Sequence, residues 1–252
     1  MVQFIGGEPT LHPDLTGLID HALGQDLDVE VFTNLVHISD AMWKSFERPG
    51  VRLACSWYST DPRQHLQIVQ RNTHARTKAN LAEAIRRSIP VRAGVVGMLD
   101  GQDIEAATAD LAAMGVADIG VDHLRQVGRG IRDREASVAE LCGNCGDGVV
   151  AIGPDGSVWP CVFTRWMPVG NVQTASLDDI ISGSTSRQAI AGLRAEFDVG
   201  PENAGYCTPR CVPKTQCDPR CGPSCSPACR PLCIPKGGPC APRGGCQPSY
   251  LK

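Results

Sequence analysis

Short apolar runs alternate with segments of helical periodicity along the first half of the chain. Five of the runs have the length of a strand, at residues 2–5, 29–32, 51–56, 91–96 and 118–121. Between them, apolar residues recur at helical spacing, first after Pro13 and then over residues 38–47, 62–88 and 103–114. This order predicts parallel βα units, and therefore an α/β fold.

Polar residues and glycines stand where several of these runs end. In parallel βα architectures, ligands bind at the carboxyl ends of the strands. The first run ends on Gly6-Gly7-Glu8-Pro9, where two glycines allow a sharp turn and close approach of a ligand to the backbone. Asn34 and Ser56 end the next two runs, and Val127-Gly128-Arg129-Gly130 follows the fifth. Asn34 equally suits a simple turn former.

Two neighbouring residues have simpler interpretations. Cys55 precedes Ser56 in a predicted strand and points to the opposite face, where a buried thiol is expected. Arg76 lies in the predicted helical region 62–88, and we interpret it as a solvated helix residue.

The thirteen cysteines are unevenly placed: one precedes residue 142 and twelve lie from there onward. The N-terminus shows no basic segment followed by an apolar stretch, so no secretory signal is visible. Metal or cluster binding by the cysteines is therefore favoured over disulfides. No apolar run reaches membrane-spanning length, and a net charge of −3 predicts no nucleic-acid surface. The sequence thus predicts a cytoplasmic protein with a metal or cluster site.

Cysteines flank a predicted β-hairpin. Apolar residues 149–152 and 157–159 border Gly153-Pro154-Asp155-Gly156, a strong turn signal, with Cys142 and Cys145 before it and Cys161 after it. Folding the strands back would bring these thiols together. Cys142-x2-Cys145 also suits tetrahedral zinc, so a zinc ribbon is an alternative to an iron–sulfur site.

The C-terminal segment repeats a single unit. Nine cysteines from Cys207 onward are each followed two residues later by proline, and Cys217 to Cys233 repeat every four residues. Because proline interrupts both helices and central strands, we expect an extended or turn-rich segment without its own core. Its cysteines could be cluster ligands, disulfides, a separate metal site or a substrate-like peptide.

The Gly-Gly-Glu-Pro end of the first strand resembles the second strand of the radical S-adenosylmethionine (SAM) enzymes. The resemblance implies a partial (βα)6-type barrel that lacks its first strand. It also implies that Gly6, Gly7, Glu8 and Pro9 surround the amino group of SAM, and that Ser56 contacts its carboxylate or ribose. Asn34 is the remaining candidate for a cofactor contact.

The cysteine-bearing half resembles the SPASM extension of peptide-modifying radical SAM enzymes. The shared features are a cysteine, a hairpin, Gly156-x4-Cys161, Gly170-Asn171, a helix that starts at Ser176, and further cysteines. The resemblance implies one or two auxiliary [4Fe-4S] clusters, which bind through thiolates. The implied ligands are Cys142, Cys145, Cys161, Cys207, Cys211, Cys217 and Cys221.

One family motif is absent from the 252 residues: the Cys-x3-Cys-x2-Cys loop that holds the SAM-cleaving cluster. A fragment, a start codon assigned too far downstream and a degenerate relative would each explain this. We expect the reading frame upstream of Met1 to encode the motif within about a hundred residues. This is roughly the length of a complete domain minus the part that the chain already contains. As written, the chain is expected to be inactive.

The resemblance implies that the parent enzyme modifies a peptide or protein by 5′-deoxyadenosyl-radical hydrogen abstraction, with a reductant such as ferredoxin or flavodoxin. A non-catalytic iron–sulfur or metal-binding module is the alternative class. A metallothionein-like sequestration protein is suggested by the tail alone. The expected domains are a partial radical SAM barrel at 1–135, a SPASM-like domain at 136–206 and the Cys-x-Pro tail at 207–252.

Overall fold

A computed structural model of the chain describes residues 1–124 and 137–197. The chain divides into two compact units after Leu124. The predicted turn at 127–130 and the cysteine tail from Cys207 onward lie outside the described residues.

The first unit is an α/β unit built on a five-stranded sheet in the order β1-β2-β3-β4-β5, with every adjacent pair parallel. This confirms the predicted fold class. The strands are β1 (Val2–Phe4), β2 (Val29–Phe32), β3 (Val51–Trp57), β4 (Val91–Gly97) and β5 (Asp118–His123). The helices are α1 (Leu15–Gly24), α2 (Asp40–Phe46), α3 (Pro62–Val69), α4 (His74–Arg86) and α5 (Ile104–Ala113).

Alternate strand residues form the core against the helices. Side chains alternate between the two faces of a strand, so every second residue of each strand points to the helical side. The core includes Val29, Val31, Leu53, Cys55, Trp57, Ala93 and Val95 from the strands and Leu15, Ile19, Phe46, Leu81, Ala107 and Leu111 from the helices. The packing therefore fixes the register of all five strands, and with it the position of each strand end.

The predicted helical region over 62–88 is two helices, which corrects the expectation of one. Gln70 adopts a left-handed conformation, with φ of 57°, and ends α3. Thr73 precedes α4, and its Oγ1 lies 3.0 Å from Nε2 of His65 on α3. The break lets α3 fold back on α4, so that His65 and His74 pack together at 5.3 Å between ring centroids.

The second unit contains the predicted hairpin. Strands β6 (Ala151–Ile152) and β7 (Ser157–Trp159) are antiparallel, and β8 (Gly170–Asn171) joins β7 as a third strand that the sequence did not predict. Helix α6 (Leu177–Ser182) begins as predicted, because Ser176 caps it through a hydrogen bond from the Asp179 amide. Helix α7 (Ser184–Phe197) was not predicted. Among the described residues, no helix combines the length and apolarity needed to cross a membrane.

Candidate functional site

The Glu8 carboxylate, at the end of β1, is held by its own chain. Its Oε1 accepts hydrogen bonds from the Thr33 hydroxyl at 2.5 Å and the Thr10 hydroxyl at 2.8 Å. Its Oε2 accepts a hydrogen bond from the backbone N–H of Asn34 at 2.8 Å. Glu8 therefore joins the carboxyl ends of β1 and β2 instead of projecting as an uncommitted carboxylate.

The two glycines before Glu8 present bare backbone. Gly6 and Gly7 are exposed, and a Cβ built at either position would meet nothing within 4 Å. Gly6 has φ of 119°, a conformation that side chains rarely adopt. Pro9 is buried and starts a single 3₁₀ turn, Pro9–Leu11. The Gly6-Gly7 turn can therefore offer peptide N–H and C=O groups to a ligand at the carboxyl end of β1.

Asn34 forms a turn at the end of β2. Its side-chain Oδ1 accepts a hydrogen bond from the Val36 amide at 2.8 Å, and Leu35 between them has φ of 57°. Its carbonyl accepts from the Thr77 hydroxyl on α4 at 3.1 Å. These contacts give Asn34 the turn-forming role that the sequence left as an alternative.

Ser56 is half-buried near the end of β3, opposite Gly94 of β4. It shares a hydrogen bond with Tyr58, whose pKa is raised by burial even though this bond lowers it. Cys55 is fully buried on the other face, and burial raises the pKa of its thiol to about 12. The expectation of a buried thiol is confirmed. Arg76 is exposed on α4, as expected.

Cys145 and Cys161 meet across the hairpin of the second unit. Their Sγ atoms lie 3.2 Å apart, well beyond the ~2.05 Å of a disulfide. The hydrogen bond from Cys145 is the main cause that lowers the pKa of Cys161 to about 6, with burial opposing it and the Phe163 amide and Thr164 assisting. The lowered pKa favours the thiolate form of Cys161, and thiolates are the form that binds metals.

The loop after Cys161 shapes this pair. The Phe163 amide donates to Cys161 Sγ at 3.3 Å. The fully buried Thr164 accepts from the Cys161 amide at 3.0 Å and donates to its carbonyl at 2.9 Å. Neither contact could be predicted from the sequence, because no spacing rule marks a threonine three residues after a cysteine as its support.

The glycine after Cys145 is required by two features. Gly146 has φ of 73°, and a Cβ there would lie 2.5 Å from Cγ1 of Ile190 on α7. Cys145 itself packs with Leu141 and Leu193 in a small core. Helix α7 therefore presses against the loop that carries the cysteine.

The other predicted ligands stand apart from this pair or beyond the described residues. Cys142 is exposed. Within residues 1–124 and 137–197, no three His, Cys, Asp or Glu side chains form a group that could hold a metal ion. Cys207, Cys211, Cys217 and Cys221 lie outside these ranges.

Family comparisons match both units. Residues 1–112 match the Radical SAM superfamily, and residues 142–217 match SPASM, an iron–sulfur cluster-binding domain. The chain belongs to the radical SAM superfamily and carries a SPASM domain. Both domains imply iron–sulfur clusters and SAM binding. No curated protein matches the chain by sequence.

Solved radical SAM structures share the fold. SuiB from Streptococcus suis bound to S-adenosylmethionine aligns with a TM-score of 0.59 and 12% identity, over 77% of this chain and 56% of SuiB. SuiB bound to the precursor peptide SuiA gives 0.58 and 13%, over 77% and 56%. Native anSMEcpe with bound AdoMet and Cp18Cys peptide gives 0.56 and 13%, over 76% and 69%. The chain therefore spans a little over half the length of SuiB.

Proposed function

We propose that this chain is part of a radical SAM enzyme that modifies a peptide, with one or two auxiliary clusters in its SPASM domain. The observation that supports the cluster assignment is the Cys145–Cys161 pair, because two thiols converge inside the segment that matches a cluster-binding domain. Soft thiolate ligands select iron–sulfur clusters or zinc, so the donor set fits the implied group.

We assign the SAM contacts to the carboxyl ends of the strands in the first unit. Gly6 and Gly7 would offer backbone groups to the amino end of SAM, and Ser56 would contact its carboxylate or ribose. Glu8, Pro9 and Asn34 would be further cofactor contacts at this site, and the hydrogen bonds of Glu8 and Asn34 described above would hold the turn in place. SAM bound to a reduced cluster would supply the 5′-deoxyadenosyl radical that abstracts hydrogen from the substrate. The residues of this chain would bind and orient SAM.

The auxiliary-cluster ligands would come from both sides of the hairpin and from the tail. Since a [4Fe-4S] cluster takes four cysteines, Cys145 and Cys161 need further ligands. We propose Cys142 and the tail cysteines Cys207, Cys211, Cys217 and Cys221. The proposed domains keep the boundaries 1–135, 136–206 and 207–252.

A peptide substrate is supported by the structures of similar fold. SuiB has been crystallised with a precursor peptide and anSMEcpe with the Cp18Cys peptide. A protein reductant such as ferredoxin or flavodoxin would supply the electron. We propose neither a nucleic-acid nor a membrane partner and place the protein in the cytoplasm.

A second candidate is a non-catalytic iron–sulfur or metal-binding module. The observation that favours it is the absence of Cys-x3-Cys-x2-Cys from the 252 residues. Such a module would bind clusters but would not cleave SAM.

Anaerobic reconstitution tests the cluster assignment. We expect a brown protein with iron and sulfide in near-equal amounts and broad absorption near about 400 nm. Cys161→Ala should lower the iron content, whereas Cys55→Ala, a buried thiol of the other unit, should leave iron per folded protein unchanged. Stoichiometric zinc without acid-labile sulfide would contradict the proposal.

A further inference from the structure

We propose that Thr33 is a positioning residue for the Gly6-Gly7 turn and that it acts through the Glu8 carboxylate. This inference rests on the proposed SAM contacts of that turn. It concerns a side chain that the sequence did not single out, 25 residues from Glu8 along the chain.

The Thr33 hydroxyl donates its only hydrogen to the Glu8 carboxylate, and we call this contact the clamp on Glu8. Thr33 is only 2% exposed, and its Oγ1 donates to Glu8 Oε1 at 2.5 Å while accepting from the Leu35 amide at 3.1 Å. A hydroxyl has one hydrogen, so the bond to Glu8 uses its whole donor capacity. Hydrogen bonds from a hydroxyl to a carboxylate oxygen are characteristically short, and the length of this one is in keeping with that.

The loop that carries Thr33 is anchored to two rigid elements. The Thr33 amide donates to the Ala54 carbonyl of β3 at 2.9 Å. From α4, the Thr77 hydroxyl donates to the Asn34 carbonyl, and Asn80 Nδ2 donates to the Leu35 carbonyl at 2.6 Å. Thr33 therefore presents its hydroxyl from a fixed position, and Glu8 is held relative to β3 and α4 as well as to β2.

The Gly6-Gly7 turn has little packing of its own. Both glycines are exposed and surrounded by open space, and glycine backbone is intrinsically permissive. What fixes the turn is its continuation into Glu8. If the clamp loosens, the turn must be ordered when the ligand binds, and that ordering weakens the affinity.

Binding of S-adenosylhomocysteine to the full chain, measured by calorimetry, tests this role. Thr33→Val keeps the shape but removes the donor, and we expect affinity to fall about tenfold, the factor that corresponds to one lost hydrogen bond of typical strength. Thr33→Ser keeps the hydroxyl and should bind within about twofold of the wild type. The double variant Thr33→Val/Glu8→Met should be no weaker than Glu8→Met alone, because methionine has no oxygen to accept the Thr33 hydroxyl hydrogen and both changes therefore break one contact.

Urea unfolding of the same variants separates positioning from general stability. A purely structural role predicts that Thr33→Val lowers the free energy of unfolding and leaves affinity intact, and that result would overturn the inference. Effects of Thr33→Val and Glu8→Met on the affinity that multiply would also overturn it.

A ligand-independent measurement separates this inference from the proposed function. If the wild type does not bind S-adenosylhomocysteine, the turn does not form a SAM site without the cluster, and amide exchange then decides whether Thr33 holds Glu8. The Thr10 and Asn34 amides donate to Glu8 at 3.2 and 2.8 Å. They should exchange severalfold faster in Thr33→Val than in Thr33→Ser, and equal rates would show that Thr33 does not hold Glu8.

Discussion

Arg92 on β4 reaches across β3 to hold the carboxylate of Glu30 on β2. Its Nε and Nη2 donate to the two carboxylate oxygens at 2.8 and 2.7 Å, and the small Ala54 is the β3 residue that pairs with Arg92 in register. Glu30 is fully buried. Burial acts to raise the pKa of Glu30, but the hydrogen bonds and charge of Arg92, with Arg52 and Gln3, outweigh it and hold the pKa below its usual value.

Replacing Arg92 should destabilise the first unit strongly. Arg92→Met removes two hydrogen bonds from a buried carboxylate that Arg52 and Gln3 still hold, so a loss of about 3 kcal/mol, the low end for a broken buried pair, is expected. Arg52→Met removes a partner whose side chain is 45% exposed, and about 0–1 kcal/mol is expected. Urea unfolding at neutral pH measures both, and equal losses would contradict a dominant role for Arg92.

The same contact gives a pH dependence of known sign. Because the pKa of Glu30 is lower in the folded than in the unfolded state, its contribution is present above the usual value of 4.5 and is lost as pH falls through the folded pKa. The unfolding free energies of wild type and Arg92→Met should therefore converge in acid. A difference that is constant with pH would exclude this linkage.

His65 should make the first unit acid-sensitive at a higher pH. It is 3% exposed, packs against Tyr58 and His74, and its Nδ1 has no hydrogen-bond partner among the described residues. Burial, assisted by His74, lowers its pKa below 6.5.

Because the unfolded state binds a proton at His65 more readily than the folded state, the free energy of unfolding is highest above about pH 6.5. It falls as the pH drops toward the folded pKa of His65. His65→Gln should flatten this part of the pH profile of the unfolding free energy, and His21→Gln, at an exposed position of α1, should not. An unchanged profile in His65→Gln would assign the acid sensitivity to another group.

Gly146 and Gly148 form a matched pair in the second unit. Both have positive φ, but a Cβ at Gly146 meets Ile190 while one at Gly148 meets nothing within 4 Å. Gly148→Ala should cost about 1–2 kcal/mol from backbone strain. Gly146→Ala should cost about 1–3 kcal/mol more from overpacking and should reduce iron uptake on reconstitution. Thermal unfolding and iron analysis measure these effects, and identical losses would show that the Ile190 contact relaxes freely.

The 252-residue chain should not cleave SAM. Cleavage needs a cluster whose open iron chelates SAM, and the family motif that holds it is absent from this sequence. With dithionite and SAM we expect no 5′-deoxyadenosine above background, and a version extended upstream with a Cys-x3-Cys-x2-Cys segment should produce it. Product from the 252 residues alone would show that other cysteines can host such a cluster.

The sequence predicted the sheet well because its strands are short apolar-rich runs between segments of helical periodicity, and Val29–Phe32 and Val51–Trp57 begin where such runs begin. It predicted the approach of Cys145 and Cys161 because a Gly-Pro-Asp-Gly turn folds the hairpin between them. It did not predict the break at Gln70, because glutamine favours helices and only the contact of His65 with Thr73 reveals the fold-back.

The clamp on Glu8 was beyond prediction for a related reason. A strand-end threonine is common, and only the parallel register of β1 and β2 brings Thr33 to the carboxylate. The sequence made Glu8 and Asn34 candidates for cofactor contacts, Glu8 from the family resemblance and Asn34 from its place at a strand end. Their hydrogen bonds within the chain become visible only in the structure.

Each strand of the parallel sheet after β1 hydrogen-bonds to the strand that precedes it in the sequence. Each of these strands would therefore find its partner already synthesised when it leaves the ribosome, and a single helical crossover needs to close. Pairing between neighbours in the sequence gives this sheet a lower contact order than a parallel sheet whose strands are paired out of sequence order. The Gly6-Gly7 turn after β1 would acquire its final geometry only once β2 and Thr33 behind it have been translated.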